Sequence, residues 1–118
     1  MGSEIVLTAD RSGGAPGARG HDCRGRVYDA ESGANLFTTL EPPNTGLPDR
    51  VMFCQTGNLQ APCVSSEHDN ALYARSYHPG GVNGLMGDGA VRFVSDNVDR
   101  ILLLALGSRN GKEVMDGF

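Results

Sequence analysis

Residues 76–96 read SYHPGGVNGLMGDGAVRFVSD, and the fold is read outward from them. Asp88-Gly89 sits between two apolar runs. That dipeptide is a strong hairpin signal, because a two-residue type I′ turn needs positive φ at both central positions. The spacing predicts antiparallel strands over 82–87 and 90–95. In the second strand Val91 and Phe93 face one side and Arg92 the other, as a half-buried strand requires. A helix is predicted over 96–106. Ser95 or Asp96 can cap it, Asp99 falls in the first turn where the dipole favours a carboxylate, and Gly107 is the natural stop. Val98, Ile101, Leu102 and Ala105 supply its apolar stripe.

Upstream the signals are shorter. Residues 3–9 can form a strand, and 10–22 are a glycine-rich loop. Strand candidates lie at 25–29, 36–40 and 50–54, with ESGAN (31–35) as a turn. The run EPPNTGLPDR, 41–50, reads as an extended surface turn cluster. Residues 55–70 read as loop, and 70–76 as strand or a turn of helix. In the tail, Asn110-Gly111 suggests a turn and 113–115 a last strand. The class is α+β and mostly β: an antiparallel sheet of short strands, long Gly/Pro loops and one C-terminal helix, in one domain over 1–118.

Seventeen glycines and six prolines in 118 residues fit that loop-rich reading, and without Trp the core must be largely aliphatic. Net charge is −4. The arginines stand singly among acids: Arg24 and Arg26 near Asp22 and Asp29, Arg92 near Asp88 and Asp96, Arg100 beside Asp99. This pattern reads as a solvated mixed-charge surface, not the basic face of a nucleic-acid binder. No run approaches the ~18 apolar residues of a membrane span. The opening Met-Gly-Ser reads as a cloning remnant, with a native N-terminal segment removed.

Cys54 and Cys63 bracket the polar loop QTGNLQAP, a plausible disulfide-closed loop; free thiols remain an alternative. A zinc site would recruit His68 and His78, but close C-x2-C or H-x3-H pairs are missing. Cys23 is then a buried thiol, or one whose partner lay in the removed segment.

The opening stretch carries several candidate chemistries. Ser76, His78 and Asp88 supply the residue types of a hydrolase triad, without a nucleophile-elbow pattern. GGVNG precedes a strand, so it does not fit a phosphate loop. Asn83, Asp88 and Asp96 offer oxygen ligands for calcium at the hairpin, without EF-hand spacing. The simplest reading is structural: His78 fixes the loop entering the hairpin, Gly80 and Gly81 provide backbone freedom, and Asp88-Gly89 make the turn.

The spacing of His78 to Asp88-Gly89 within ARSYHPGGVNGLMGDGAVRFVSDNVD closely resembles the C-terminal signature of prepilin-type processing-associated H-x(9)-D-G proteins. That bacterial group is largely of unknown function and sometimes labelled solute-binding-like. GHDCRGRVYD, LFTTLEPPNTGLPDRVMFC and ALGSRNGKEV look like other parts of the family, so the resemblance covers about residues 20–115. It implies a pilin- or pseudopilin-like head, export to the cell surface, periplasm or exterior, and assembly with itself or other pilin-like subunits. Export also suits a Cys54–Cys63 disulfide. The membrane would be reached only through a hydrophobic N-terminal helix that this chain lacks. The implied function is a structural or adhesive head without enzymatic activity or obligate cofactor. The alternative is an extracellular module binding glycan, peptide or calcium.

Overall fold

The computed structural model describes residues 1–4, 22–25, 36–55 and 57–108. A three-stranded sheet is built from β1 (Gly2–Ser3), β4 (Gly81–Leu85) and β5 (Val91–Ser95), in the order β1-β4-β5. Both pairings are antiparallel, with Gly2 opposite Leu85 and Gly81 opposite Ser95. A two-stranded sheet joins β2 (Asp49–Val51) to β3 (Cys63–Ser65), and the helix α1 spans Arg100–Gly107. The class expected from sequence is the one observed: short strands, long connections and a helix that follows the last strand. Gly2 and Ser3, read as part of a remnant, form β1.

The hairpin forms where expected, but with a different turn. Gly89 N–H donates to Met86 O at 3.0 Å, and Met86 N–H donates to Ala90 O at 2.8 Å. The loop is therefore 87–89: a type I turn closed by Gly89 at φ +86°. Such a three-residue loop ends in a glycine bulge, so only one position needs positive φ, and Asp88 does not. Asp88 Oδ1 instead accepts from Ala90 N–H at 2.9 Å.

The buried face of β5 also differs. Val91 and Phe93 are 66% and 53% exposed, whereas Val94 is fully buried. Val94 and its partner Val82 carry the core face, with Ala74 and Leu103 packed against them. Burying each such aliphatic side chain contributes about 1.5–3 kcal/mol. The helix lies on that face, so parity alone could not say which side of the strand it covers.

The helix starts later than expected. Asp99 is its cap, its Oδ1 accepting from Ile101 N–H and Leu102 N–H at 2.9 and 3.1 Å. Ser95 and Asp96 lie outside it. Leu103 is its buried residue, while Ile101 is exposed. Gly107 is the last helical residue and Ser108 the C-cap.

The second sheet was not legible in advance. β2 and β3 run parallel, with Asp49 opposite Cys63. Parallel strands usually need a long helical crossover. Here residues 52–62 make the connection, closed by a Cys54–Cys63 disulfide. Residues 36–40 contribute a single bridge, Thr38 to Tyr73, instead of a strand. The strand proposed at 50–54 is shifted to 49–51, and β3 occupies part of the expected loop 55–70. Residues 71–75 form neither regular strand nor helix. They are extended, buried throughout, and bridge Arg50 and Thr38, linking the two cores. The strand proposals at 3–9, 25–29 and 113–115 lie, wholly or mostly, outside the described residues.

Candidate functional site

The turn Ser76–Gly81 is fixed by short polar contacts. Ser76 Oγ donates to Gly81 O at 2.7 Å and accepts from His78 N–H at 3.0 Å. Asn44 sits behind it in the left-handed region, at φ 53°. Its Oδ1 accepts from Ser76 N–H at 2.9 Å, and its Nδ2 donates to Asp96 Oδ1 at 2.8 Å. Asp96 N–H closes the ring on Gly80 O at 2.8 Å. Asn44 is the hub, and sequence reading placed it in a surface turn. Its only local signal is an Asn following two prolines; Asn is the non-glycine residue most tolerant of that backbone region.

His78 points elsewhere. Its Nε2 lies 3.2 Å from Glu4 Oε1, and the side chain is about half exposed. Glu4 Oε2 accepts from Asn83 N–H at 2.8 Å, and Oε1 from Asn83 Nδ2 at 3.2 Å. β1 ends at Ser3, so the Glu4 carboxylate takes the place of the next ladder acceptor for β4. The Asn83 N–H is the strongest influence holding the Glu4 carboxyl below its ordinary value; partial burial opposes it, and the Asn83 amide and nearby His78 assist.

The candidate residues therefore divide. His78, Gly80, Gly81 and Asn83 gather around the turn and Glu4. Asp88 and Gly89 lie at the far end of the hairpin. The eight residues from Asp88 to Asp96 span on the order of 25 Å of extended chain. Asn83, Asp88 and Asp96 thus do not converge on one calcium ion: Asn83 faces Glu4, and Asp96 is tied to Asn44. The Ser76–His78–Asp88 relay is not assembled either, since Ser76 Oγ bonds backbone and Asp88 serves its own turn. Among the described residues, no group of three or more His, Cys, Asp or Glu is placed to hold a metal.

A second cluster was missed entirely. Asp22, Arg24, Asp49 and Arg75 are each at most 2% exposed. Arg24 grips Asp22 with Nε (2.9 Å) and an NH2 group (2.7 Å), and reaches Asp49 at 2.8 Å. Arg75 holds the other side of Asp49 at 3.1 Å and donates to Thr45 O and Leu47 O at 2.7 and 2.6 Å. Tyr73 N–H also donates to Asp49. Two acids and two arginines form a neutral, hydrogen-bonded core, not a solvated surface. Burial is the largest influence on Asp22 and pushes its carboxyl up; the bonds from Arg24 and Gln55 outweigh it and hold the carboxyl below its ordinary value. Burial is also the largest influence on Arg24 and pushes it down; its bonds to Asp22 and Asp49 outweigh that and hold it above its ordinary value.

Cys54 and Cys63 are joined, and Cys23 is buried against Val51 and Cys63. Beside the disulfide loop lies an open cleft of about 500 Å³, lined in part by Asn44, Thr45, Asn58, Gln60 and Ser76. His78 does not line it.

A family model described as "Protein of unknown function (DUF1559)" matches residues 13–100. The chain belongs to this family. The DUF1559 match takes in the quartet, the Asn44 turn, the disulfide and the whole hairpin, and ends where α1 begins. No curated protein and no solved structure matches the chain.

Proposed function

We propose that this DUF1559 chain is a structural or adhesive head domain of an exported, pilin-like cell-surface protein, without enzymatic activity. The observation that carries the reading is how the H-x(9)-D-G residues are spent. Asp88 holds its own turn, Gly89 closes that turn at φ +86°, and His78 meets Glu4 at the strand end. Each serves the hairpin. The disulfide suits an oxidising compartment. Exposed Leu85, Val91 and Phe93 on one sheet suit contact with other subunits.

A second reading rests on the cleft. Amide and hydroxyl side chains around an open cleft, with Arg75 also in its lining, suit a polar ligand such as a glycan or extended peptide. The test is made on the full gene product in its own cell. Mass spectrometry of the mature N-terminus should find that a basic leader has been removed and that the chain opens on ~20 apolar residues, and antibodies to this domain should label the cell surface. An unprocessed product confined to the cytoplasm would refute the export reading.

A further inference from the structure

The cleft beside the Cys54–Cys63 loop, about 500 Å³, has the size of a small-ligand site. One wall is the 44–46 turn, held by Arg75, which donates to Thr45 O at 2.7 Å. The other is the 57–63 loop, closed by the disulfide and by Ala61 N–H donating to Asn58 O at 3.1 Å. Arg75 is the one charged side chain among the described lining residues, and its charge is spent. Its side chain is 3% exposed, paired with Asp49 and bonded to Thr45 O and Leu47 O. The main chain of the lining is largely spent too. Asn44 N–H donates to Ala74 O, Gln60 N–H to Asn58 Oδ1 and Ser76 N–H to Asn44 Oδ1, while Pro62 O accepts from Asp49 N–H. Neutral side-chain groups are left over. Among the described residues the Gln60 amide has no partner. The Thr45 hydroxyl accepts from Leu47 N–H at 3.3 Å and keeps its own proton to donate. Asn58 Nδ2 makes only a long contact, 3.4 Å to the Tyr77 hydroxyl.

We propose that this cleft binds a neutral saccharide, with Tyr77 as the ring on which a pyranose stacks. This deepens the second reading above and rests on it for the cleft being a binding site. An extended peptide is commonly taken by unspent main-chain N–H and C=O groups, and this lining has few to offer. A phosphate or carboxylate needs an available cation or a nest of N–H groups, and Arg75 is already committed. Sugar hydroxyls both donate and accept. They match the Gln60 amide, which does both, together with the Thr45 hydroxyl and Asn58 Nδ2. A pyranose also carries an apolar C–H face. Tyr77, 63% exposed, follows Ser76 of the lining and is placed at the mouth by its contact with Asn58. Leu59, 95% exposed, lines the cleft itself. A ring with an apolar body and a polar tip beside unspent amides complements a ligand that is apolar on one face and hydroxylated at its edge.

The test is a titration of the 118-residue chain followed by amide chemical shifts. The probes are chitotriose, maltotriose, cellotriose and mannotriose, with an uncharged Ser/Gly/Ala hexapeptide as the competing class. At least one trisaccharide should shift the amides of Thr45 and residues 57–60 saturably, and the peptide should not. Gln60→Ala and Tyr77→Ala change exposed side chains, so the fold should persist. Each should weaken saccharide binding about tenfold, the equivalent of one good hydrogen bond or stacking contact. Ile101→Ser, at an exposed residue of α1 outside the cleft lining, should leave binding unchanged. Saccharide binding that survives either cleft variant, or is lost in Ile101→Ser, overturns the proposal. If the peptide and none of the sugars shifts these amides, the saccharide assignment falls and the cleft reading stands. If neither class shifts them, both fall.

Discussion

A Cβ at position 81 would run into the Val94 carbonyl and come within 2.7 Å of the Phe93 ring; at position 89 it would meet nothing. Position 89 demands glycine only through its backbone, at φ +86°. Gly89→Ala should therefore cost about 1–2 kcal/mol, the usual strain of a left-handed alanine. Gly81→Ala must push two paired strands apart, and should cost more, about 2–4 kcal/mol. Urea denaturation of both variants checks the order; a milder Gly81→Ala would contradict the packing. His78 has a different standing. Its contact with Glu4 is exposed to water, where such pairs contribute roughly 0–1 kcal/mol. His78→Ala should lower stability by no more than that, and a loss near 3 kcal/mol would mean the imidazole has a larger role than this contact.

At the scale of elements, Asp49 ties β2 to both Arg24 and Arg75. Asp49→Asn keeps the shape but leaves two buried guanidinium groups under-compensated, a change expected to cost about 3–5 kcal/mol. A drop below ~1 kcal/mol in chemical denaturation would show that water reaches the cluster. The β2–β3 pair depends also on the Cys54–Cys63 link, whose partners are nine apart. In the chain-entropy view its removal costs about 2.5–3 kcal/mol. Replacing both cysteines by serine should lower the urea midpoint accordingly, and an unchanged midpoint would mean that β2–β3 holds without the link. These elements were unequally legible. The hairpin and α1 announce themselves through neighbours: Asp-Gly between apolar runs, a capping Asp two residues from the amide it binds. The quartet joins Arg24 to Asp49 and Asp49 to Arg75, so no local pattern marks it, and Asp22 beside Arg24 looks like any solvated pair. β2 and β3 have three residues each, too few for a period to show. Residues 71–75 are buried on every side and so lack the alternation that identifies a strand. Asn44 acts through a left-handed backbone and contacts 32 and 52 residues away, which no short window contains.

For the whole molecule, acid stability depends, among the described residues, on two carboxyls, one part-buried at the end of β1 and one in the buried quartet. Glu4 fastens β1 to the His78 turn, and Asp22 anchors the quartet; both are held below their ordinary values of 4.5 and 3.8. A carboxyl with a depressed pKa binds protons less readily in the folded chain than in the unfolded one. Its stabilisation is therefore complete above the ordinary value and is lost as pH falls through the lowered one. The melting temperature should stay level, as far as these groups decide it, from neutrality to about pH 5, then fall steadily. Net charge moves the same way: at −4 near neutrality it becomes strongly positive in acid, as fourteen acidic side chains are protonated against ten Lys and Arg. Such repulsion is screened by salt, whereas the buried contacts of Asp22 are screened much less. Melts at low and high salt separate the two contributions. Glu4→Gln should be less stable than the parent at neutral pH and lose less on acidification, because its share of the pH dependence is gone. A parent protein whose melting temperature is the same at pH 3 and pH 7 in high salt would show that neither carboxyl is held as the structure places it.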